Sequence, residues 1–208
     1  MIIAFDGAST DLSVGLAGAD GTLIAEDGWS AAHRQSAELL PRLLAMLGAS
    51  GHSLHDVTAI GVGLGPGSFT GLRVAVALAK GLAFGLDLPL YGVPSLQAWL
   101  MADPDALAAV ARAGARDAYV LRPGDAAVAI VDRDDLGSAE QVVAPADIAE
   151  AFGIIGSRPP RAAVGIASLV AARRASDDPG DDLKALEPNY LRAPRGVATE
   201  SREPVRWL

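Results

Sequence analysis

The segment GPGSFTG at 65–71 is rich in glycine and in hydroxyl residues, and it lies between an apolar run and a helical pattern. This composition and this position are those of an anion-binding loop. A glycine-rich turn before a helix directs backbone N–H groups toward a phosphate. The motifs that define such loops are absent: the first lysine of the chain is Lys80, and Pro66 breaks the serine-hydrolase elbow. The residues alone therefore favour a structural turn in which Ser68 or Thr70 caps the following helix. The candidate loop residues are Gly65, Pro66, Gly67, Ser68, Phe69, Thr70 and Gly71.

Metal and nucleophile chemistry has few candidate residues in this sequence. The chain has no Cys and three His, which excludes thiol nucleophiles and cysteine-ligated metal centres. His33 would need a second ligand four residues later, where Ala37 stands. His52 and His55 lie beside Asp56 in a Gly/Ser-rich segment and could bind a metal, although a solvated loop is the favoured interpretation. We therefore expect no metal, no cofactor and no catalytic residue.

The elements that position these residues follow from the hydrophobic pattern of residues 1–102. We predict the order β-β-β-α-β-α-β-α, with Asp20-Gly21 forming a hairpin turn. Three hairpin-linked strands followed by two crossover units predict a mixed α/β sheet of the ribonuclease H-like, or actin-like ATPase, fold. The predicted strands are 2–6, 12–17, 22–29, 57–64 and 90–93, and the predicted helices are 33–47, 72–86 and 96–102.

A second candidate phosphate loop follows the first predicted strand. Asp6 and Asp11 flank a short turn that contains Ser9 and Thr10, at the place where actin-like folds hold their first phosphate loop. Turn and cap chemistry explains the same residues equally well. ATP-hydrolysing members of this fold also use a Gly-Gly loop in the second lobe, and this sequence has no Gly-Gly pair. We expect at most a vestigial half-site formed by Asp6, Ser9 and Thr10.

The dipeptide Asp103-Pro104 marks the predicted boundary between the N-terminal lobe, 1–102, and a shortened C-terminal lobe, 103–208. We predict a helix over 105–113, strands near 118–122, 127–132 and 141–144, and helices over 145–152 and about 166–174. The acidic cluster at 177–182 is predicted to be a solvated loop, and residues 192–208 an irregular tail.

Charge and hydropathy limit the partners that this chain can have. The formal net charge is −8, which argues against nucleic-acid binding by the chain alone. The arginines of the tail could approach tRNA within a larger complex, although a solvated tail is favoured; they are Arg192, Arg195, Arg202 and Arg206. Asp6 interrupts the first apolar run, and the uncharged stretch 57–72 is too short to span a bilayer. We expect a soluble cytoplasmic protein with no membrane partner.

Several segments together resemble one family. The opening MIIAFDGAST-DLSVGLA, the block GPGSFTGLR followed by AKGLAFGLDLPLYGVPSL, the helix segment ELLPRLLAML after a His, and EPNYLR at 187–192 match its motifs. The chain is identified by these motifs as similar to the TsaB (YeaZ), or glycoprotease-like, family. The resemblance covers most of residues 1–100 and the C-terminal motif, and it is loose over 103–180, where Val110 stands at the place of a family aspartate.

The resemblance implies a two-lobed actin-like protein that is not itself an enzyme. Family members support the synthesis of threonylcarbamoyladenosine, in which a threonylcarbamoyl group is attached to N6 of the adenosine beside the tRNA anticodon. The implied partners are the catalytic sister subunit TsaD and the ATPase TsaE, with a homodimer in isolation and tRNA contact only within the complex. Two alternatives remain open: an actin-like sugar kinase or ATPase with a truncated second lobe, and, more weakly, a glycoprotease-like peptidase.

The partner surface is predicted on the helices 33–47 and 72–86. The second of these is apolar almost all round, and its small residues recur every four positions, which lets another helix approach closely. Packing of the two helices on each other and on the second lobe explains the pattern nearly as well; the resemblance, which implies a four-helix contact, favours the partner surface. The predicted interface residues are Leu40, Leu44, Leu47, Arg73, Ala77, Lys80, Gly81, Phe84 and Gly85.

Overall fold

The computed structural model describes residues 1–31, 34–136 and 141–191. The described strands are β1 (Ile2–Asp6), β2 (Asp11–Ala17), β3 (Leu23–Ser30), β4 (Ala59–Gly63), β5 (Leu90–Val93), β6 (Ala108–Arg112), β7 (Asp117–Leu121), β8 (Ala129–Asp132) and β9 (Val142–Val143). The described α-helices are α1 (Gln35–Ala49), α2 (Phe69–Leu86), α3 (Ser95–Ala102), α4 (Ala146–Phe152) and α5 (Ala162–Ala175). His33 and the tail 192–208, on which several predictions fall, lie outside the described residues.

The first sheet has the strand order β3-β2-β1-β4-β5. β1, β2 and β3 form an antiparallel meander, whereas β4 and β5 run parallel to β1. This mixed topology confirms the predicted ribonuclease H-like, actin-like fold of the first lobe. The parallel order follows from the crossover helices α2 and α3, because parallel neighbours cannot be joined by a tight turn.

Both faces of the first sheet are covered, which explains why β1 is apolar without alternation. Ile3 and Phe5 point into the core formed with α1 and α2. Ile2 and Ala4 point to the opposite face, where α5 packs. α2 is long and apolar enough by composition to cross a membrane, but its buried residues belong to the core of this sheet.

Helix α5 comes from the second half of the chain yet packs on the first sheet. Close contact is possible because the sheet presents glycines: an added Cβ at Gly61 would meet the methyl groups of Ile166 and Val170 at 2.7 Å. α5 also crosses α3 closely, since a Cβ at Gly165 would collide with the carbonyl of Ala98. The division into lobes at 102/103 therefore stays a prediction, because the two halves share one core layer.

The second sheet has the strand order β8-β7-β6-β9. The helix predicted over 105–113 is wrong, because this segment forms β6, paired with β7 and β9. The run ALAAVAR is rich in alanine, and four consecutive residues of β6 within it, 108–111, are buried. It therefore lacks the alternation that distinguishes a strand from a buried helix. Sheet pairing then overrides the helix propensity of alanine.

The acidic segment 177–182 is a loop, as its composition predicts, and Asp177, Pro179 and Asp182 are exposed. Two of its carboxylates, however, are held by ion pairs, which the prediction of a solvated loop did not include. Arg173 at the end of α5 binds Asp178 at 2.7 Å and Asp181 at 2.9 Å. Asp181 also accepts the backbone N–H of Gly92 in β5 through Oδ2 at 2.6 Å. Residues 178–191, which we term the strap, thereby cover the edge of β5 that pairs with no other strand of the sheet.

Candidate functional site

The glycine loop 65–71 and the turn after β1 lock together through their backbones. The Ser68 N–H donates to the Ala8 carbonyl at 2.7 Å. A Cβ on Gly67 would collide with the same carbonyl, and Gly7 and Gly71 stand equally close to each other. Ser68 also caps α2 by accepting the N–H of Gly71 at 3.2 Å, so the helix begins at Phe69 rather than at the predicted residue 72. The contacts favour the structural interpretation of the loop.

Asp6 lies at the end of β1 and is 2% exposed. Its carboxylate accepts hydrogen bonds from the Ser95 hydroxyl at 2.7 Å and from the Trp99 indole at 3.1 Å. Ser95 in turn accepts the N–H of Gly65 at 3.0 Å. Burial raises the pKa of Asp6, and these hydrogen bonds oppose the rise. Asp6 thus joins β1, the glycine loop and α3, a role that its position in the sequence did not reveal.

Ser9 and Thr10 occupy the mouth of a cavity of about 270 Å³ between the two sheets. The Ser9 hydroxyl serves its own turn: it donates to the Asp11 carbonyl at 2.7 Å and accepts the Asp11 N–H at 3.1 Å. Across the cavity, Arg112 lies 3.6 Å from Asp147. Burial, followed by the nearby charge of Asp147, raises the pKa of Asp11. The structure thus places Ser9 and Thr10 at this cleft, whereas Asp6 does not line it and faces Ser95 and Trp99 instead. The assignment of a phosphate to these three residues stays a prediction.

The predicted metal candidates do not form a cluster in the part of the chain that the structure describes. No group of three or more His, Cys, Asp or Glu side chains is placed there to hold a metal ion. His52 lies 4.0 Å from Asp56, which caps the short turn Leu54–Asp56 with Ser53.

The outer faces of α1 and α2 point away from the first sheet in the same direction and carry small and apolar residues. Phe84 is 82% exposed and Leu44 is 45% exposed. Ala77 is also exposed, and an added Cβ at Gly81 or Gly85 would meet open space. We term these residues, with Ala45 and Gly48 of α1, the outer helix face. Five of the predicted interface residues belong to it: Leu44, Ala77, Gly81, Phe84 and Gly85.

Other predicted interface residues have partners inside the chain. Leu47 is 2% exposed and packs in the core, so its assignment to the partner surface is wrong: it lies on the sheet side of α1. Leu40 is half-buried against the same core. Lys80 donates to the Leu186 carbonyl at 3.1 Å. Arg73 lies at the rim of the face and holds Tyr190.

Tyr190 is a residue whose contacts the sequence did not predict. Its hydroxyl accepts from Arg73 Nε at 2.9 Å, and its ring lies 5.1 Å from that of Phe69. The Arg73 guanidinium stacks on Phe69 at 3.8 Å. The P-x-Y-L part of the C-terminal motif was the one sequence signal that could have pointed to this contact. In the structure, its aromatic residue anchors the end of the strap to the start of α2.

A sequence profile described as TsaD, tRNA N6-adenosine threonylcarbamoyltransferase, matches residues 30–157. The tRNA threonylcarbamoyladenosine biosynthesis protein TsaB of Escherichia coli (strain K12) is 42% identical over 96 residues, which are 46% of this chain and 40% of that protein. The match therefore spans two fifths of the length of that relative. An uncharacterized protein of Mycobacterium tuberculosis is 32% identical over 201 residues, which are 93% of this chain and 92% of that protein.

The structure of YeaZ from Pseudomonas aeruginosa superimposes with a TM-score of 0.69 at 23% identity. The superposition covers 91% of this chain and 99% of that one. At this identity, the likeness concerns the fold.

Proposed function

We propose that this chain, which belongs to the TsaB (YeaZ) group of the TsaD-like threonylcarbamoyltransferase family, is a non-catalytic partner subunit in the synthesis of tRNA threonylcarbamoyladenosine. In this role it binds the catalytic sister subunit TsaD in the cytoplasm. The ATPase TsaE and the tRNA join the assembly, and the chain does not transfer the threonylcarbamoyl group itself.

The observation that carries the proposal is the outer helix face. An apolar side chain as exposed as Phe84, beside a row of small residues, is typical of a surface that another helix covers. Small residues allow two helix backbones to approach, and the aromatic ring supplies apolar area in the centre of the contact. Because α1 and α2 lie side by side, a helix pair of similar shape on the partner would bury both.

The polar groups in and beside the cleft support the non-catalytic part of the proposal. Asp6 is engaged by Ser95 and Trp99, and the Ser9 hydroxyl closes its own turn. Arg112, which lines the cleft, is paired with Asp147. Polar groups that are engaged by their own chain are poorly placed to stabilise charge that develops on a substrate.

The test is co-elution with TsaD of the same organism, combined with a transfer assay on tRNA. Phe84→Ser should abolish co-elution and TsaD-dependent modification, and Gly81→Leu should do the same because it fills the small-residue row. Ile155→Ser is the matched control, because Ile155 is 88% exposed but lies after α4. Its complex should be unchanged, and all three variants should keep the circular dichroism spectrum of the parent.

Two results would contradict the proposal. The first is transfer of the threonylcarbamoyl group by the purified chain alone. The second is unchanged co-elution of both Phe84→Ser and Gly81→Leu. A homodimer of the isolated chain should be lost with the same two variants, since it would use the same face.

A further inference from the structure

A second cavity, of about 420 Å³, opens on the side of the first sheet that α5 covers. Asp6, Ser13 and Gly28 stand opposite one another on the neighbouring strands β1, β2 and β3 and form its floor. Gly28 has no side chain, so the floor is open at that point. Pro159, Pro160 and the start of α5 form the opposite wall. We term this the amine cavity, for the reasons that follow.

Ser13 is a buried polar group in this floor that has no partner. The residue is 8% exposed, and its hydroxyl makes no hydrogen bond with any described residue. A buried hydroxyl without a partner is costly to the folded state. Its place between two strands that line a cavity indicates that a bound group satisfies it.

The carboxylates around the cavity outnumber the cations. Asp6, Asp11 and Glu26 line it, with Arg161 as the one cationic side chain among the described lining residues. Arg161 is already paired with Glu26, through contacts of 3.0 and 3.2 Å. Asp6 and Asp11 make no ion pair with any described side chain, and an ionised carboxylate in such a place favours a cation beside it.

We propose that the amine cavity binds the ammonium group of a small organic amine, with Asp11 and Ser13 as its acceptors. A primary ammonium has three N–H donors and no acceptor, which suits the unpartnered Ser13 hydroxyl and the Asp11 carboxylate, which has a hydrogen bond with Ser30 but no cationic partner among the described residues. A phosphate would be repelled by Asp6 and Asp11, the two carboxylates without an ion pair. A divalent metal needs more oxygen ligands than the described residues bring together. The prolines and Ala162 provide an apolar wall for an alkyl stem.

The experiment is calorimetric titration of the full chain at low salt with 1,4-diaminobutane, and with 1,4-butanediol as the neutral molecule of the same length. The diamine should bind and raise the melting midpoint, whereas the diol should do neither. Asp11→Asn and Ser13→Ala should each weaken diamine binding about tenfold or more, which is the loss of one charge-assisted hydrogen bond. Asp105→Asn, which removes an exposed carboxylate elsewhere, should bind as the parent does.

Ser13→Ala has a second readout that does not depend on a ligand. Removal of an unsatisfied hydroxyl should leave the midpoint of the free protein unchanged or higher, whereas a lower midpoint would indicate a partner within the chain and overturn the proposal. No heat with the diamine would also overturn it, as would equal weakening in Asp105→Asn. A midpoint raised by Mg²⁺ and no longer raised in Asp11→Asn, or a midpoint raised by inorganic phosphate and no longer raised in Ser13→Ala, would assign the cavity to that ion instead.

Discussion

Asp6 is buried and accepts hydrogen bonds from two side chains. Among the described residues, it has no cationic partner. Burial raises its pKa above the ordinary value of an aspartate. The folded protein therefore holds this proton more tightly than the unfolded chain, and stability declines as the pH rises through the folded pKa. The residue that joins β1, the glycine loop and α3 thus also makes the fold sensitive to pH.

Asp6→Asn should remove this pH dependence, because the amide does not titrate. We expect the free energy of unfolding of the parent, minus that of the variant, to fall as the pH rises above the ordinary aspartate pKa of about 4. Urea unfolding of both proteins at several pH values, in amine-free buffer, measures this difference. Parallel curves for the two proteins would contradict a raised pKa at Asp6.

Ser95 is the donor that connects Asp6 to the glycine loop. Ser95→Ala leaves one oxygen of Asp6 and the Gly65 N–H without that partner in a buried place. The expected loss is about 1–3 kcal/mol of the free energy of unfolding. Ser36→Ala, at an exposed position of α1, should change it by less than about 0.5 kcal/mol. Equal effects of the two substitutions in urea unfolding would show that the network contributes nothing specific.

The glycine loop is an element whose backbone contacts define its role. Gly67→Ala should lower the melting midpoint, because the new Cβ would collide with the Ala8 carbonyl. Gly48→Ala in α1 meets nothing within 4 Å and should raise stability by about 0.5–1 kcal/mol, since alanine is the better helix former. Scanning calorimetry of both variants tests this. If Gly67→Ala melts as the parent does but loses phosphate affinity, the loop is a ligand site.

The strap depends on Arg173, whose hydrogen bonds lower the pKa of Asp181 and Asp178. A carboxylate with a lowered pKa stabilises the fold above its unfolded pKa, and this contribution disappears as the pH falls through the folded pKa. Arg173→Met should lower the free energy of unfolding at neutral pH, although solvent screens these partly exposed ion pairs, and its difference from the parent should shrink below about pH 4.

The neighbouring Arg174 provides the control for the strap. Its guanidinium contacts the Thr58 hydroxyl at 3.2 Å and is exposed, so Arg174→Met should change the unfolding free energy by less than about 0.5 kcal/mol. Guanidinium chloride would screen these ion pairs, so urea is the denaturant of choice. Identical acid profiles for the parent and Arg173→Met would exclude the ion-pair role.

At the scale of elements, hydrophobic periodicity and the positions of turn and capping residues predict where helices and strands begin and end. The helical pattern after the glycine loop predicts Ser68 or Thr70 as the cap of α2, and the structure assigns the cap to Ser68. The Asp6–Ser95–Trp99 network could not be predicted, because it joins residues 89 and 93 positions apart. The same holds for Tyr190 and Arg73, which are 117 positions apart. Such contacts are set by the crossing of elements rather than by local spacing.

At the scale of the whole molecule, the first sheet was predictable and the second sheet less so, for one physical reason. The strands of the first sheet are bounded by turn residues such as Asp20-Gly21, and their order restricts the topology to few alternatives. β6 is an alanine-rich run that satisfies a helical and an extended pattern equally well, so only its pairing with β7 and β9 decides. The sequence likewise did not show that Leu47 lies on the sheet side of α1, because this residue belongs to a broad apolar arc of the helix.

The two halves of the chain are joined in one core, because α5 covers the first sheet and crosses α3. The crossing depends on Gly165, where a Cβ would collide with the Ala98 carbonyl. Gly165→Val should therefore separate α5 from α3 and lower the melting midpoint of the whole protein in a single transition, since overpacking a core contact costs about 1–3 kcal/mol or more. Gly81→Ala, a helical glycine whose added Cβ meets open space, should not lower the midpoint. Scanning calorimetry measures both variants. A Gly165→Val protein in which the second half melts early while the first keeps its parent midpoint would show that the lobes are independent, and that α5 is dispensable to the first sheet.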